Sequence, residues 1–158
     1  MKIKRFCLAI AAMFSLPARS SLAVNIATAL PPAEGVLNLL PTAAHAANVL
    51  VKWGANQNTY DLCGVGDIPL GIVTSAVLAG ETSRTQAVYL LGSWRKPELV
   101  TASEAIAFTD FLFPAANGQV QNTPASGTHY QIGRAIAAGA SGSTFPVQHS
   151  FPVKVVVS

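Results

Sequence analysis

From Asn48 onward, short runs of β-favouring residues alternate with turns rich in glycine, asparagine and proline, and this pattern constrains the fold most strongly. The runs have the length of strands, are apolar on one or both faces, and show no helical period. Asn117-Gly118 lies between two of them and is a strong hairpin signal. The pattern predicts an all-β domain over residues 48–158, a small β-barrel or β-sandwich of seven to eight short strands.

Two glycines interrupt runs that otherwise read as good strands. Gly71 follows Pro69 in the stretch Ile68–Thr74, and Gly133 follows Ile132 in a weakly similar run. Glycine inside a strand marks a bulge, a sharp bend or a close approach of another backbone. We predict that Gly71 and Gly133 are structural glycines at corners of the sheet.

The first 47 residues differ from this body in composition. Residues 1–23 combine a basic start, an apolar run from Phe6 to Leu16, and small residues at the end, which is the pattern of a secretory signal peptide. The apolar run is shorter than the roughly 20 residues that a membrane-spanning helix needs. The same segment, if retained, would be an apolar, basic arm that docks on another protein. Residues 24–47, rich in proline and alanine, are predicted to form an extended arm or linker.

The charge of the chain is concentrated at its N-terminus. The net charge is +3, but residues 24–158 carry six basic and seven acidic side chains, a net of −1. A nucleic-acid-binding domain needs a basic patch on its folded part, so nucleic acid is not an expected partner. Only 11% of the residues are charged and 51% are hydrophobic, which indicates a surface partly covered by another protein.

The side chains capable of chemistry form no recognisable catalytic or metal-binding pattern. No nucleophile elbow, zinc-protease motif or phosphate loop is present. His129 and His149 flank loops at a spacing that does not require a metal, and Asp61 and Asp67 fit solvated turns better than an acid–base pair. Cys63 fits a small buried apolar residue. We therefore predict no enzyme activity, no metal and no cofactor.

Candidate interface residues come from two places in the chain. Tryptophan and arginine are enriched at protein interfaces, and Trp94 and Arg95 end a strongly apolar predicted strand. The N-terminal segment supplies basic and apolar side chains for docking. The candidates there are Lys4, Arg5, Phe6 and Leu16.

The order of elements in residues 48–158 resembles the small capsid decoration (cement) proteins of tailed bacteriophages. The similarity is carried by "KWGANQNTYDLCGVGDIPLGIVTSAVLAGE", "AVYLLGS", "DFLFPAANGQVQNTPASGTHYQIGRAIAAGASGS" and the final "VKVVV". In order, these are a first strand, a polar turn, a Leu-Gly-Ile strand, an Asn-Gly hairpin, and an Ile-Gly strand before a glycine-rich loop.

This resemblance implies a structural virion protein, made in the host cytoplasm, that binds the outside of an assembled phage head. Its partners would be the major capsid protein and further copies of itself in a homotrimer, and neither nucleic acid nor membrane is implied. It would stabilise the head by bridging shell subunits, without catalysis or cofactor. A homotrimer would also cover the apolar run Gln86–Trp94. The alternative is a periplasmic or secreted β-domain with a binding role, residues 1–23 being a cleaved signal peptide.

Overall fold

The computed structural model describes residues 35–93 and 96–158, and these form a β protein of two sheets. The only helical element within those ranges is a 3₁₀ turn at Ala116–Gly118, and none of their helices is long and apolar enough to cross a membrane. The described strands are β1 (Val36–Pro41), β2 (Val49–Trp53), β3 (Thr59–Leu62), β4 (Gly71–Val73), β5 (Gln86–Leu90), β6 (Glu98–Thr101), β7 (Phe111–Pro114), β8 (Val120–Gln121), β9 (Gly127–Ala135) and β10 (Thr144–Val157). The all-β prediction is confirmed. The described strands number ten rather than seven or eight, because β1 precedes residue 48 and β8 has two residues.

The first five strands close into a barrel in the order β1-β3-β2-β4-β5. Closure comes from β1, which pairs antiparallel with β5 from Val36–Tyr89 to Leu39–Gln86 and parallel with β3 at Leu40–Thr59. Strand β5 has β1 on one edge and β4 on the other, and Val88 at its centre is fully buried. The barrel itself therefore covers much of the apolar run that begins at Gln86.

The predicted linker at residues 24–47 differs from the structure where the structure describes it. Residues 36–41 form β1, an integral strand of the barrel, and Leu39 packs in its interior with Val51 and Val88. Without β1 the facing edges of β3 and β5 would be left open, and unpaired strand edges are costly. The run before Pro41 is short and follows a proline pair, so its strand character is weak in the sequence.

The second sheet contains the remaining strands in the order β6-β10-β9-β7-β8. Its β7–β8 hairpin turns at Asn117 and Gly118, whose φ angles are +57° and +71°. Asparagine and glycine are the residues that tolerate these positive angles, so the hairpin predicted from this dipeptide is confirmed. The turn docks on the barrel, since the Gly118 N–H donates to the carbonyl of Cys63 at 2.7 Å.

Two hydrophobic clusters explain why several strands are apolar on both faces. Val51 and Val73 point into the barrel, whereas Leu50 and Ile72, one position before each of them, pack in the layer between the barrel and the second sheet. The barrel cluster comprises Leu39, Val51, Tyr60, Val73 and Val88. The layer between the two sheets comprises Leu50, Cys63, Ile72, Leu91, Val100, Ala102, Ile106, Leu112, Val120, Ile132, Ala135, Phe145 and Val147.

Strand β10 is far longer than the others, with 14 residues. Its first part, Thr144–Val147, lies between β6 and β9. The register shifts between His149 and Val153, and from Val153 to Val157 the strand pairs with Gln131–Gly127 of β9. We call this second part the β9–β10 ribbon. No described strand pairs with the other edge of β10 along the ribbon.

Candidate protein-interaction surfaces

All six candidate interface residues lie outside the described part of the chain. They are Lys4, Arg5, Phe6, Leu16, Trp94 and Arg95. A role for these side chains at an interface stays a prediction from the sequence.

Gly71 lies in β4, where the barrel brings another backbone very close. A Cβ atom at this position would lie 2.4 Å from the carbonyl oxygen of Tyr89 and 2.7 Å from Cγ1 of Val88, both on β5. The Gly71 backbone angles are ordinary for a strand, so the need for glycine is steric. The close approach of β5 accounts for the interruption of an otherwise β-branched run.

Gly133 lies in β9 directly opposite His149, where the β9–β10 register begins to shift. Its φ angle is +152°, and a Cβ atom would lie 2.2 Å from the carbonyl oxygen of Gln148. Both the backbone conformation and the space therefore require glycine. A bend of the sheet at this position would follow from the irregular pairing.

The two histidines of the second sheet engage different partners. His129 is buried, bonds through Nε2 to the carbonyl of Ala125 at 2.7 Å and packs edge-on against Phe113, while His149 accepts the Gly92 N–H at 3.1 Å. Burial lowers the pKa of His149, which matches a neutral ring that accepts at Nδ1. Within residues 35–93 and 96–158, no group of three or more His, Cys, Asp or Glu side chains is placed to hold a metal ion.

The carboxylates of Asp61 and Asp67 also have separate roles. Asp67 bonds to the Lys52 ammonium and to the Gly64 N–H, each at 2.7 Å, while Asp61 accepts from the hydroxyl of Thr42. Burial would raise the pKa of Asp67, but the bonds from Lys52 and Gly64 hold it below the ordinary value. This ion pair holds the turn after β3 against β2, which is a structural use of the carboxylate.

Cys63 is buried in the layer between the sheets, at 1% exposure, and this burial raises its thiol pKa to about 12. The prediction that Cys63 is a small buried apolar residue is confirmed. A thiol that is protonated and inaccessible has no nucleophilic role at neutral pH.

The outer face of the second sheet carries an unusual set of exposed side chains. Phe111 of β7 lies opposite Arg134 of β9, which lies opposite Gln148 of β10. The guanidinium carbon of Arg134 is 4.1 Å from the centroid of the Phe111 ring, a cation–π stack. Leu99, Ile136 and Pro146 add apolar side chains on the same side of the sheet. We call this surface the outer face and define it as Leu99, Phe111, Arg134, Ile136, Pro146 and Gln148.

The sequence pattern did not reveal this face. The run Ala105–Pro114 reads as one strand with Phe111 and Phe113 on a common side. In the structure the strand begins only at Phe111, because Thr109 has a φ angle of +73° and the Asp110 carboxylate caps the Ala107 N–H at 2.8 Å. Phe111 is 44% exposed, whereas Phe113, two positions later in the same strand, is buried against His129.

A shallow groove of about 350 Å³ opens beside the outer face. Its polar walls come from Gln131, Gln148, Ser150 and Arg134, with Phe111 at one side. The groove therefore provides hydrogen-bonding side chains directly beside the stacked pair.

The β9–β10 ribbon is a second exposed apolar feature. Phe151, Val153 and Val156 are 68%, 54% and 71% exposed. Val156 and Lys154 lie on the side of the ribbon facing away from His129, by the alternation of the strand. An exposed, valine-rich strand without a described partner on one edge is a template for another strand.

Trp53 is a third exposed apolar feature, at the end of β2. Its ring is 51% exposed between two shallow grooves of about 360 and 410 Å³. One groove is formed by the turn 54–57 and the other by Ile68–Leu70. The outer face, the ribbon and Trp53 are thus three separate exposed apolar surfaces, and Val65, Leu78 and Phe108 are exposed as well.

The fold itself is shared with a known virion protein. No protein-family model and no curated protein sequence matches the chain. Among solved structures, the chain is similar to the N base of the head fiber gp8.5 of bacteriophage phi29. The TM-score is 0.57 with 18% sequence identity, and the match covers 74% of this chain and 94% of that one. At this identity, the likeness establishes a common fold.

Proposed function

We propose that this chain is a structural protein of a phage virion that binds the outside of the assembled head. The observation that carries the proposal is the likeness to the base of the phi29 head fiber, which extends over nearly the whole of that base. The order of sequence elements, which resembles capsid decoration proteins, supports the same conclusion independently of the structure.

The proposed mechanism is passive stabilisation of the head by bridging neighbouring shell subunits. A protein that binds the assembled state and not the separated subunits stabilises assembly by its binding free energy, without chemistry. Such a protein needs a rigid scaffold with several contact surfaces. The closed barrel, the shared core and the exposed apolar side chains at the outer face, the ribbon and Trp53 suit that role.

Association of copies, as a homotrimer, is part of the proposal. The unpaired edge of the β9–β10 ribbon supports it, because its backbone groups and exposed Val156 would be satisfied by a strand of another copy. The major capsid protein is the proposed partner on the head.

The test compares heads from a phage with and without the gene for this chain. We expect the chain in purified DNA-filled particles, and we expect heads lacking it to release DNA at a lower temperature or a milder osmotic shock. Equal survival of the two kinds of head would refute stabilisation, and absence of the chain from particles would refute head binding. A mature chain that begins at Val24 by intact mass would instead support the exported β-domain.

A further inference from the structure

We propose that the outer face of the second sheet is the surface that docks on the head, and that its partner there is a shell-subunit surface presenting a carboxylate within an apolar patch. This inference rests on the proposed function and adds to it the site and the chemistry of the contact. The observations that carry it are the stacked Phe111–Arg134 pair and the absence of an acidic partner for Arg134 in the described residues.

The neighbouring strands restrict the position of the Arg134 side chain. Register pairing fixes it between Phe111 and Gln148, and the ring of Phe111 supports the guanidinium plane at 4.1 Å. A pre-organised arginine loses less side-chain entropy when it binds than a free one does. The stack leaves the guanidinium edge, which carries the N–H donors, available to an acceptor.

The charge of Arg134 is not neutralised within the described chain. Neither the Lys52–Asp67 nor the Arg84–Glu81 ion pair includes it. Two acids in the loop between β6 and β7 have other partners. Asp110 accepts from Asn122 and from the Ala107 N–H, and Glu104 accepts from Asn122 and Thr123. An uncompensated cation at the centre of an apolar face selects a partner with one complementary negative charge.

The surroundings of Arg134 fit a protein partner. Leu99, Phe111 and Ile136 are 44%, 44% and 36% exposed on the same face, and Pro146 lies between the neighbouring strands. An arginine and an aromatic ring surrounded by aliphatic side chains is the composition of an interface hot spot. The adjoining groove, with its glutamine and serine side chains, can receive a polar side chain from the rim of the partner.

The ribbon and Trp53 lack this combination. The cation of the ribbon, Lys154, is a flexible side chain in a row of valines, and its unpaired backbone suits strand addition. Trp53 lies next to Lys52, whose charge Asp67 already compensates at 2.7 Å. The outer face is therefore the surface that combines an arginine stacked on an aromatic ring with surrounding aliphatic side chains.

The experiment measures binding of the purified, fluorescently labelled full chain to heads from a phage that lacks its gene, by co-sedimentation. We expect Arg134→Glu to weaken binding about 30-fold or more, as loss of one partner of a buried charge pair does. Arg134→Lys keeps the charge but loses the planar stack, so a smaller loss is expected. Phe111→Ala should weaken binding by removing the support of the guanidinium.

The matched control is Arg84→Glu, which makes the same charge change at an arginine that is 77% exposed in the loop between β4 and β5. We expect it to bind as the wild type does. Thermal unfolding of each variant shows whether it is folded, and light scattering of the free protein shows whether the face joins copies of the chain.

Each outcome decides the matter. Wild-type binding by Arg134→Glu, or an equal loss in Arg84→Glu, overturns the assignment of this face while leaving head binding intact. A change of mass of the free protein with Arg134→Glu assigns the face to contacts between copies, which also overturns the proposal. Failure of the wild type to bind heads overturns both this inference and the proposed function.

Discussion

A series of glycine-to-alanine substitutions separates two reasons for which this fold needs glycine. Gly80 has a φ angle of +91° with no atom within 4 Å of an added Cβ, so Gly80→Ala tests the backbone conformation alone. The φ angle of Gly71 is not in the left-handed region, but a Cβ atom there would lie 2.4 Å from a carbonyl oxygen. Gly71→Ala therefore tests the steric clash alone. Gly133 combines a φ angle of +152° with a 2.2 Å approach to the carbonyl of Gln148.

The expected losses of stability follow from these geometries. A left-handed residue with a Cβ costs about 1 kcal/mol or slightly more, which is the loss expected for Gly80→Ala. At Gly71 and Gly133 the contact is about 1 Å shorter than a normal C···O contact, so a backbone must move, at a cost of about 1–3 kcal/mol. Gly133→Ala combines the two costs and should therefore lose about 2–4 kcal/mol, a large part of the stability of an ordinary domain.

Denaturant and thermal unfolding, monitored by tryptophan fluorescence and circular dichroism, measure the series. At about 4 °C per kcal/mol, Gly133→Ala should lower Tm by about 8–16 °C and Gly80→Ala by about 4 °C. The expected order of destabilisation is Gly133, then Gly71, then Gly80. If Gly133→Ala were no less stable than Gly80→Ala, the close approach of β10 to β9 would not constrain this position. Unchanged stability of Gly71→Val would refute the structural role of Gly71.

Two further predictions concern the second sheet. Burial lowers the folded pKa of His149, so the stability that its neutral ring contributes is present above the ordinary pKa of 6.5 and is lost as the pH falls below it. In His149→Asn the side-chain oxygen can still accept from the Gly92 N–H, so the difference in unfolding free energy between wild type and this variant should shrink on acidification. A constant difference from about pH 7.5 to about pH 5 would contradict this. Val156→Lys replaces a side chain that is 71% exposed, so it should leave the Tm of the folded protein nearly unchanged. The charge should prevent the ribbon edge from pairing with another copy, so the mass of the free protein in light scattering should fall. An unchanged oligomer would exclude the ribbon edge as the contact between copies.

Local signals in the sequence predicted the parts of the fold that depend on neighbouring residues. The Asn117-Gly118 turn is one, because the positive φ angles of a tight hairpin select those two residues wherever the hairpin lies. The absence of a helical period is another, and it excluded helical folds correctly. Cys63 was also placed correctly in the core, since nothing near it in the sequence would activate a thiol.

Local signals did not predict which strands pair when they are far apart in the sequence. Val36 pairs with Tyr89, and only the closed barrel reveals that a short run beside prolines supplies the strand between β3 and β5. The predicted strand Ala105–Pro114 is shortened to a β7 that begins at Phe111, where a positive φ angle at Thr109 and the cap by Asp110 precede it. The pairing of Phe111 with Arg134 joins positions of two strands whose register the sequence does not specify.

The length of β10 has a mechanical consequence. Fourteen extended residues span about 45 Å, and the far end of the strand at Val157 is held by β9 alone among the described strands. A pull directed along the strand at that end is carried to Thr144–Val147, where hydrogen bonds to β6 and β9 lie across the direction of force on both sides. Those bonds are loaded together in shear rather than broken one after another. Strand β10 can therefore transmit force between a molecule bound to the ribbon and the two-sheet body of the protein.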